Sequence, residues 1–340
     1  MIDVEPLARS LQVNRDRVAA DVWCLVRHRL WKSILMYAFA ILAGAAGRPV
    51  NPWRQRVWFS GRSGLQRVAE HFDAAFAVSS GPSTYFLVDC VESSRSYHWV
   101  IGDYSQTPIA RRVDVHYLSQ LRGGLAVSDE CADIFTKVFP ELKARRPKPY
   151  QFQTPWRFYE HNEGGIPEFE TGAGAKIVTV SRLDPGKGLG LALEAAAELR
   201  DVGLEFRWLV LGDGPERTRL TDQIERLGLE ELVVLCGFKN NVSQYLRAAD
   251  VFVLPSSSEG RSTAVDEAME LGVIPVITDF KTARSQVTDG RTGVISSFKP
   301  GDLARSIASA LDPAVRATIL PNIGITRDED PTPFFVKLSS

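Results

Sequence analysis

Cysteine is scarce in this chain: four residues in 340, at Cys24, Cys90, Cys131 and Cys236, with no CxxC pair and no clustered histidine. That scatter excludes a disulfide framework and a zinc site, and fits small buried apolar side chains in a reducing, cytoplasmic compartment. An excess of charge is also missing. Forty Lys and Arg stand against 41 Asp and Glu, for a net charge of −1, which argues against nucleic acid as the main partner. Long apolar runs are missing too. The stretch Ile34–Ala46 (ILMYAFAILAGAA) is continuously apolar but shorter than the roughly 20 residues of a spanning helix, and too deep for a signal peptide. It follows Arg27, His28, Arg29 and Lys32. One expectation is a buried or docking helix. The other is a helix in a membrane interface, with Trp23, Trp31 and Tyr37 near the headgroups. Peripheral contact with the inner face of a membrane therefore stays open.

What is present is a globular composition, 44% hydrophobic and 24% charged, in a length that suits two domains. No internal repeat or low-complexity tract appears. Residues 161–175, within the Gly-rich, acidic stretch Glu160–Ala175, are expected to link residues 1–160 to a domain over 176–320, with a tail over 321–340. Short apolar runs at Ile177–Ser181, Trp208–Leu211, Val233–Leu235, Val251–Leu254 and Ile274–Ile277 predict parallel strands buried on both faces. Between them, Gly188–Arg200 and Glu216–Leu227 repeat apolar residues at helical spacing. This alternation predicts βαβ units. In the first half, Phe76–Val78, Tyr85–Val88, Trp99–Ile101 and Leu125–Val127 are read as strands, and Asp129–Phe139 as a helix capped by Ser128 or Asp129. The first sixty residues show no strand pattern and are read as helical.

In a doubly wound sheet, ligands bind where the strands end. After Ile177–Ser181 comes Arg182-Leu-Asp-Pro-Gly-Lys187-Gly188. An arginine and a lysine five apart, on a Gly/Pro loop opening a helix, suit an anion clamp, though such residues are also common on exposed loops. After Trp208–Leu211 comes Gly212-Asp-Gly214-Pro, where glycine allows either a ligand's approach or a tight turn. Pro215 and Glu216 break the dehydrogenase fingerprint. The most informative stretch runs Pro255-Ser-Ser-Ser-Glu259-Gly260-Arg261-Ser262-Thr263-Ala-Val-Asp-Glu267. Its E-x7-E pair puts Glu259 on the turn beyond a strand, where it can reach sugar hydroxyls. Glu267 lies about one turn into the following helix, where it can reach a ribose. The bland alternative is two solvated carboxylates.

From Ala175 to about Leu311, the motifs VSRLDPGKG, VLGDGPE, CGF, AADVFVLPSSSEG, EGRSTAVDEAMELG, PVITD and VTDGRTGV resemble retaining glycosyltransferases of family 4. WVIGDY and LAVSDECADIFTKVFPE resemble the second half of that family's acceptor-side domain. The resemblance implies a GT-B type α/β fold of two Rossmann-like domains, the C-terminal one complete and the N-terminal one lacking its first βα unit. It implies that Arg182 and Lys187 hold a diphosphate, that Glu259 contacts the donor sugar, and that Glu267 contacts the ribose. Gly260, Arg261, Ser262 and Thr263 would assist through backbone amides. Phe238 would lie near the base, and Gly212 and Gly214 are counted with the binding residues. The donor implied is a UDP- or GDP-linked sugar and the acceptor a saccharide or lipid-linked saccharide. No cofactor or metal is required, in keeping with the lack of a DxD-like motif at a strand end. The reaction implied is a hexosyltransferase-type transfer with retained configuration, in polysaccharide or cell-envelope synthesis.

Three features depart from the family pattern. No strand and Gly-rich loop open the chain. Ile101 stands where the family's W-[IV]-H-x-D-[YF] histidine would be, and His98, three residues away along a strand, faces the other side. Gln151-Phe-Gln-Thr-Pro-Trp-Arg157 replaces an Asn-rich turn. The alternative from another class is a catalytically inert nucleotide-sugar-binding or partner protein. An epimerase, a phosphorylase and a dehydrogenase rank below both.

Overall fold

The computed structural model describes residues 31–46, 51–62, 65, 67–78, 81–106, 110–150, 165–170 and 174–324. Expectations resting on Trp23, Cys24, Arg27, His28, Arg29, the Gln151–Arg157 turn, and most of the linker and tail lie outside the described residues. The chain divides into two compact units, Met1–Gln151 and Phe152–Ser340. Among the described residues, no helix is long and apolar enough to cross a membrane. Cys90, Cys131 and Cys236 are free thiols.

Among the described residues, the first unit begins with two helices, α1 (Trp31–Ala45) and α2 (Asn51–Gly61), in line with the strandless pattern over that part of the sequence. Then follow β1 (His71–Phe72), β2 (Ala75–Val78), α3 (Pro82–Cys90), β3 (Glu92–Ser93), β4 (Ser96–Val100), α4 (Arg111–Leu118), β5 (Gly123–Ala126), α5 (Asp129–Val138) and β6 (Lys148–Pro149). Strands β2-β4-β5-β6 form a parallel sheet in that order, and β1 pairs with β3 alone. Ser128 caps α5, its side chain accepting from the Cys131 amide at 3.1 Å, as a serine there should.

One expected strand is wrong. Tyr85–Val88 lies inside α3, whose first turn carries Pro82. A short apolar run cannot be assigned by composition, and proline at the first helical position was the signal that decides it. The helix buries Tyr85 and Leu87. Tyr85 Oη donates to Asp114 Oδ1 at 2.5 Å, and Gln55 Nε2 donates to Asp114 Oδ2 at 2.9 Å, tying α2 and α3 to α4. Burial lifts the Asp114 carboxyl to a pKa of about 6, against the two hydrogen bonds that favour its charge.

His98 and Ile101 part as the alternation predicts. His98 is buried (3% exposed) against Phe135, with Nδ1 3.0 Å from the Gly123 carbonyl, and Ile101 is 43% exposed just beyond β4. Burial pushes the His98 imidazole down to a pKa of about 4. The ring fits because position 124 is glycine: a Cβ there would stand 2.2 Å from His98 Cε1.

The second unit opens with a short helix, α6 (Pro167–Glu170), whose Phe169 is buried together with the preceding Ile166. Strands and helices then alternate: β7 (Ala175–Val180), α7 (Leu189–Asp201), β8 (Phe206–Leu211), α8 (Arg217–Leu227), β9 (Val233–Gly237), α9 (Val242–Arg247), β10 (Val251–Leu254), α10 (Thr263–Glu270), β11 (Ile274–Thr278), β12 (Val294–Ser296), α11 (Pro300–Leu311) and α12 (Pro313–Ile319). The five expected strands are all present, and β12 joins them as a sixth. The sheet is parallel in the order β12-β11-β10-β7-β8-β9. Renumbered from its own first strand, this is the 3-2-1-4-5-6 order of a dinucleotide-binding Rossmann fold. Apolar clusters cover both faces, one built on α7, α8 and α11, the other on α9 and α10. Even the buried Thr179 is satisfied: it donates to the Val253 carbonyl at 2.7 Å and accepts from Trp208 Nε1 at 3.0 Å, bonding across β10, β7 and β8.

Candidate functional site

The strand order reverses direction between β7 and β10, so their carboxyl ends bound the crevice where ligands bind in such sheets. The loops leaving these two strands meet. Gly188 makes the meeting possible: its φ is 65°, and a Cβ there would lie 1.9 Å from the Pro255 carbonyl oxygen. Any other residue would force the β7 loop off the β10 loop. The Ser257 amide donates to the Gly186 carbonyl at 2.9 Å and its hydroxyl donates to the same oxygen at 3.1 Å.

This contact brings together two of the residues singled out in the sequence. Lys187 Nζ lies 2.6 Å from Glu259 Oε1, with side chains 27% and 13% exposed. A charge-assisted hydrogen bond this short and this sheltered fixes both groups at the switch point. Thr282 Oγ1 holds the Glu259 backbone by donating to its carbonyl at 2.7 Å. Gln286 clamps the start of α10 from both sides, accepting from the Ser262 amide at 3.1 Å and donating to the Ser262 carbonyl at 2.6 Å. The Ser262 side chain itself makes no cap, so Gln286 replaces the hydroxyl as organiser of that helix end. Thr282 and Gln286 were not found in the sequence, because a residue that supports another's backbone leaves no spacing pattern.

The remaining candidates are placed as follows. Arg182 has its side chain 77% exposed and pairs with Asp184 at 2.9 Å on its own loop. Arg261 is locked to Asp266 by two bonds, of 2.8 and 2.7 Å, with its side chain 14% exposed, and its Nη1 is buried without a partner. Gly260 is buried and Thr263 exposed at the first position of α10. Gly212 and Gly214 lie against the β7 loop: a Cβ at Gly212 would come 1.9 Å from the Ser181 carbonyl oxygen, and one at Gly214 would come 2.6 Å from that of Leu183. Both glycines thus have a packing role whatever else they do. Phe238, after the Gly237 turn at φ 71°, is 76% exposed beyond the end of β9.

Glu267 sits one turn into α10, partly buried. Burial raises its carboxyl to a pKa of about 7, and the neighbouring Glu270 and Asp266 charges push the same way. A carboxyl raised on folding stabilises fully below its ordinary value near 4.5 and loses that contribution as pH climbs through 7. Glu267→Gln should therefore melt higher than the parent at pH 8 and equally at pH 4, in thermal melts across that range. The gain expected is about 1–2 kcal/mol, reduced for the part of the side chain that solvent still screens. Equal melting temperatures at pH 8 would mean that the carboxylate is comfortably solvated.

Residues 168–318 match the protein family described as glycosyl transferases group 1. That match lies within the second unit. The chain is 37% identical over 145 residues to the putative colanic acid biosynthesis glycosyltransferase WcaL of Escherichia coli, covering 40% of this chain and 35% of that protein. It is 34% identical over 120 residues to the N-acetylgalactosamine-N,N'-diacetylbacillosaminyl-diphospho-undecaprenol 4-alpha-N-acetylgalactosaminyltransferase of Campylobacter jejuni, covering 35% of this chain and 32% of that one. The chain thus matches about a third of the length of these relatives.

Likeness in structure reaches further along the chain. Anabaena Alr3699/HepE, solved in complex with UDP and glucose, superposes with a TM-score of 0.66 at 19% identity, over 79% of this chain and 78% of that one. TarM superposes at 0.62 and 16% identity, over 78% and 54%. At these identities the likeness carries the fold alone, and it is the GT-B type: two Rossmann-like α/β units built on parallel sheets.

Proposed function

We propose that this chain, whose residues 168–318 match the group 1 glycosyl transferases, is a glycosyltransferase moving a hexose from a nucleotide-diphosphate donor to a saccharide or lipid-linked acceptor, with retained configuration. The observation that carries the proposal is the Lys187–Glu259 pair at 2.6 Å, held at the switch point of the sheet. Breaking the bond between the anomeric carbon and the diphosphate leaves an electron pair, and negative charge, on the departing oxygen. Lys187, Arg182 and the amide-rich start of α10 offset that charge. Glu259 holds the donor sugar by its hydroxyls and faces the positive charge that develops at the anomeric carbon. The acceptor oxygen bonds to that carbon on the face the diphosphate leaves, and its proton passes to a departing phosphate oxygen. Glu267 takes the ribose hydroxyls and Phe238 flanks the base. The HepE complex with UDP and glucose makes UDP the first donor nucleotide to try.

Transfer from UDP- and GDP-hexoses to alkyl glycosides, with the product anomer read by NMR, tests the proposal. A product of the donor's configuration is expected, and an inverted product would overturn the mechanism. Arg182 supplies a second test. Its exposed pair with Asp184 contributes little, so the guanidinium is free to turn to a diphosphate. Arg182→Ala should weaken nucleoside diphosphate binding by roughly 1.5–3 kcal/mol, read as a smaller thermal shift at fixed ligand. An unchanged shift would remove Arg182 from the phosphate site.

A further inference from the structure

The observations run furthest at α1, away from the proposed donor site. Four large apolar side chains on this helix are exposed: Trp31 at 65%, Leu35 at 55%, Phe39 at 42% and Leu42 at 63%. Their spacing, i, i+4, i+8 and i+11, puts them in one stripe along the helix. The opposite face already has its partners. Ser33, Tyr37 and Ala40 are buried, packed with Val57 and Trp58 of α2, and Ser33 Oγ lies 2.8 Å from Ser60 Oγ. Among the described residues the stripe is left over after the packing of the opposite face, and contiguous apolar stripes facing water mark interaction surfaces.

Charge decides what covers it. Residues 22–69 contain no Asp or Glu and eight Lys or Arg, in a chain whose net charge is −1. The cations reach the stripe itself. Lys32 is exposed beside Trp31, and Phe39 stacks on Trp53 at 5.5 Å, with the exposed Arg56 guanidinium 4.7 Å above the Trp53 ring. Aromatic rings topped by cations beside an aliphatic stripe match the layering of headgroups over acyl chains. A helix of 15 residues is about 22 Å long, too short to cross a hydrocarbon core of about 30 Å, so it would lie in the surface plane.

We infer that α1, with its stripe Trp31, Leu35, Phe39 and Leu42, seats this protein on an anionic lipid bilayer. The inference does not depend on the donor-site proposal, and the two fail separately. The test is flotation of the full chain with vesicles of phosphatidylcholine alone and of phosphatidylcholine with phosphatidylglycerol. Leu35→Glu/Leu42→Glu and Arg56→Glu are run beside it, all at exposed positions, with melting curves to establish that each variant is folded. The parent should float with the anionic vesicles, less at high salt, and weakly with neutral ones. The double variant should lose at least about tenfold of the bound fraction, and Arg56→Glu should lose the preference for anionic lipid. A parent that stays with neither vesicle would overturn the inference, as would a folded double variant that floats like the parent. So would a parent dimer, seen by light scattering, that the double substitution splits while vesicle binding is absent.

Discussion

Glu259→Gln is expected to lower kcat by about 10²–10³-fold while nucleotide affinity stays within about threefold. Glutamine keeps the shape and one acceptor, so Lys187 can still bond at position 259 and the loop contact survives; stability should fall by no more than about 1 kcal/mol. What disappears is the negative charge. The donor sugar is neutral in the ground state and gains positive charge only as its bond to the diphosphate breaks, so the loss falls on the transition state and on kcat. Nucleotide and phosphate contacts belong to Lys187, Arg182, the α10 start and Glu267 in this account, and are left in place. Steady-state kinetics on transfer, with direct binding of the nucleoside diphosphate, separates the two. A variant with full kcat would remove Glu259 from the reacting centre.

Lys187→Ala should act on stability and binding together. It leaves the Glu259 carboxylate, 13% exposed in the parent, without its cation, which costs about 1–3 kcal/mol of folding free energy, moderated by the partial exposure of the lysine. Diphosphate binding should weaken by a further ~1.5–3 kcal/mol. The double variant Lys187→Ala/Glu259→Gln discriminates between causes. With both charges gone, most of the lost stability should return, while binding and turnover stay low. Thermal melts and ligand titrations on the four proteins of this cycle give both answers. Recovery of activity with stability would mean that the pair is purely structural.

The second unit was legible because its strands are buried on both faces. Val251–Leu254 and Ile274–Ile277 carry no polar residue, and Leu193, Ala196 and Leu199 repeat at helical spacing between strands. β12 escaped notice: it is three residues long and directly follows a run of turn residues, Asp289-Gly-Arg-Thr-Gly293. In the first unit the error at Tyr85–Val88 came from the same limit, an apolar run too short to show a period, although Pro82 was there to be read. At the site, sequence spacing brought out Lys187 and Glu259 separately. It could not say that residues 72 apart would bond at 2.6 Å, or that Arg261 would be committed to Asp266 and Arg182 to Asp184. Pairing between loops depends on strand order, and strand order is not written in local pattern.

A nucleoside diphosphate is expected to bind at the carboxyl ends of β7 and β10, on Lys187. Calorimetric titration of UDP and of GDP into the parent and into Lys187→Met tests it most directly, methionine keeping the bulk of the lysine stem without its charge. Saturable binding of one of the two nucleotides is expected, with a Kd at least about tenfold weaker in the folded variant. Failure of both nucleotides to bind the parent, or equal affinity in the two proteins, would contradict it.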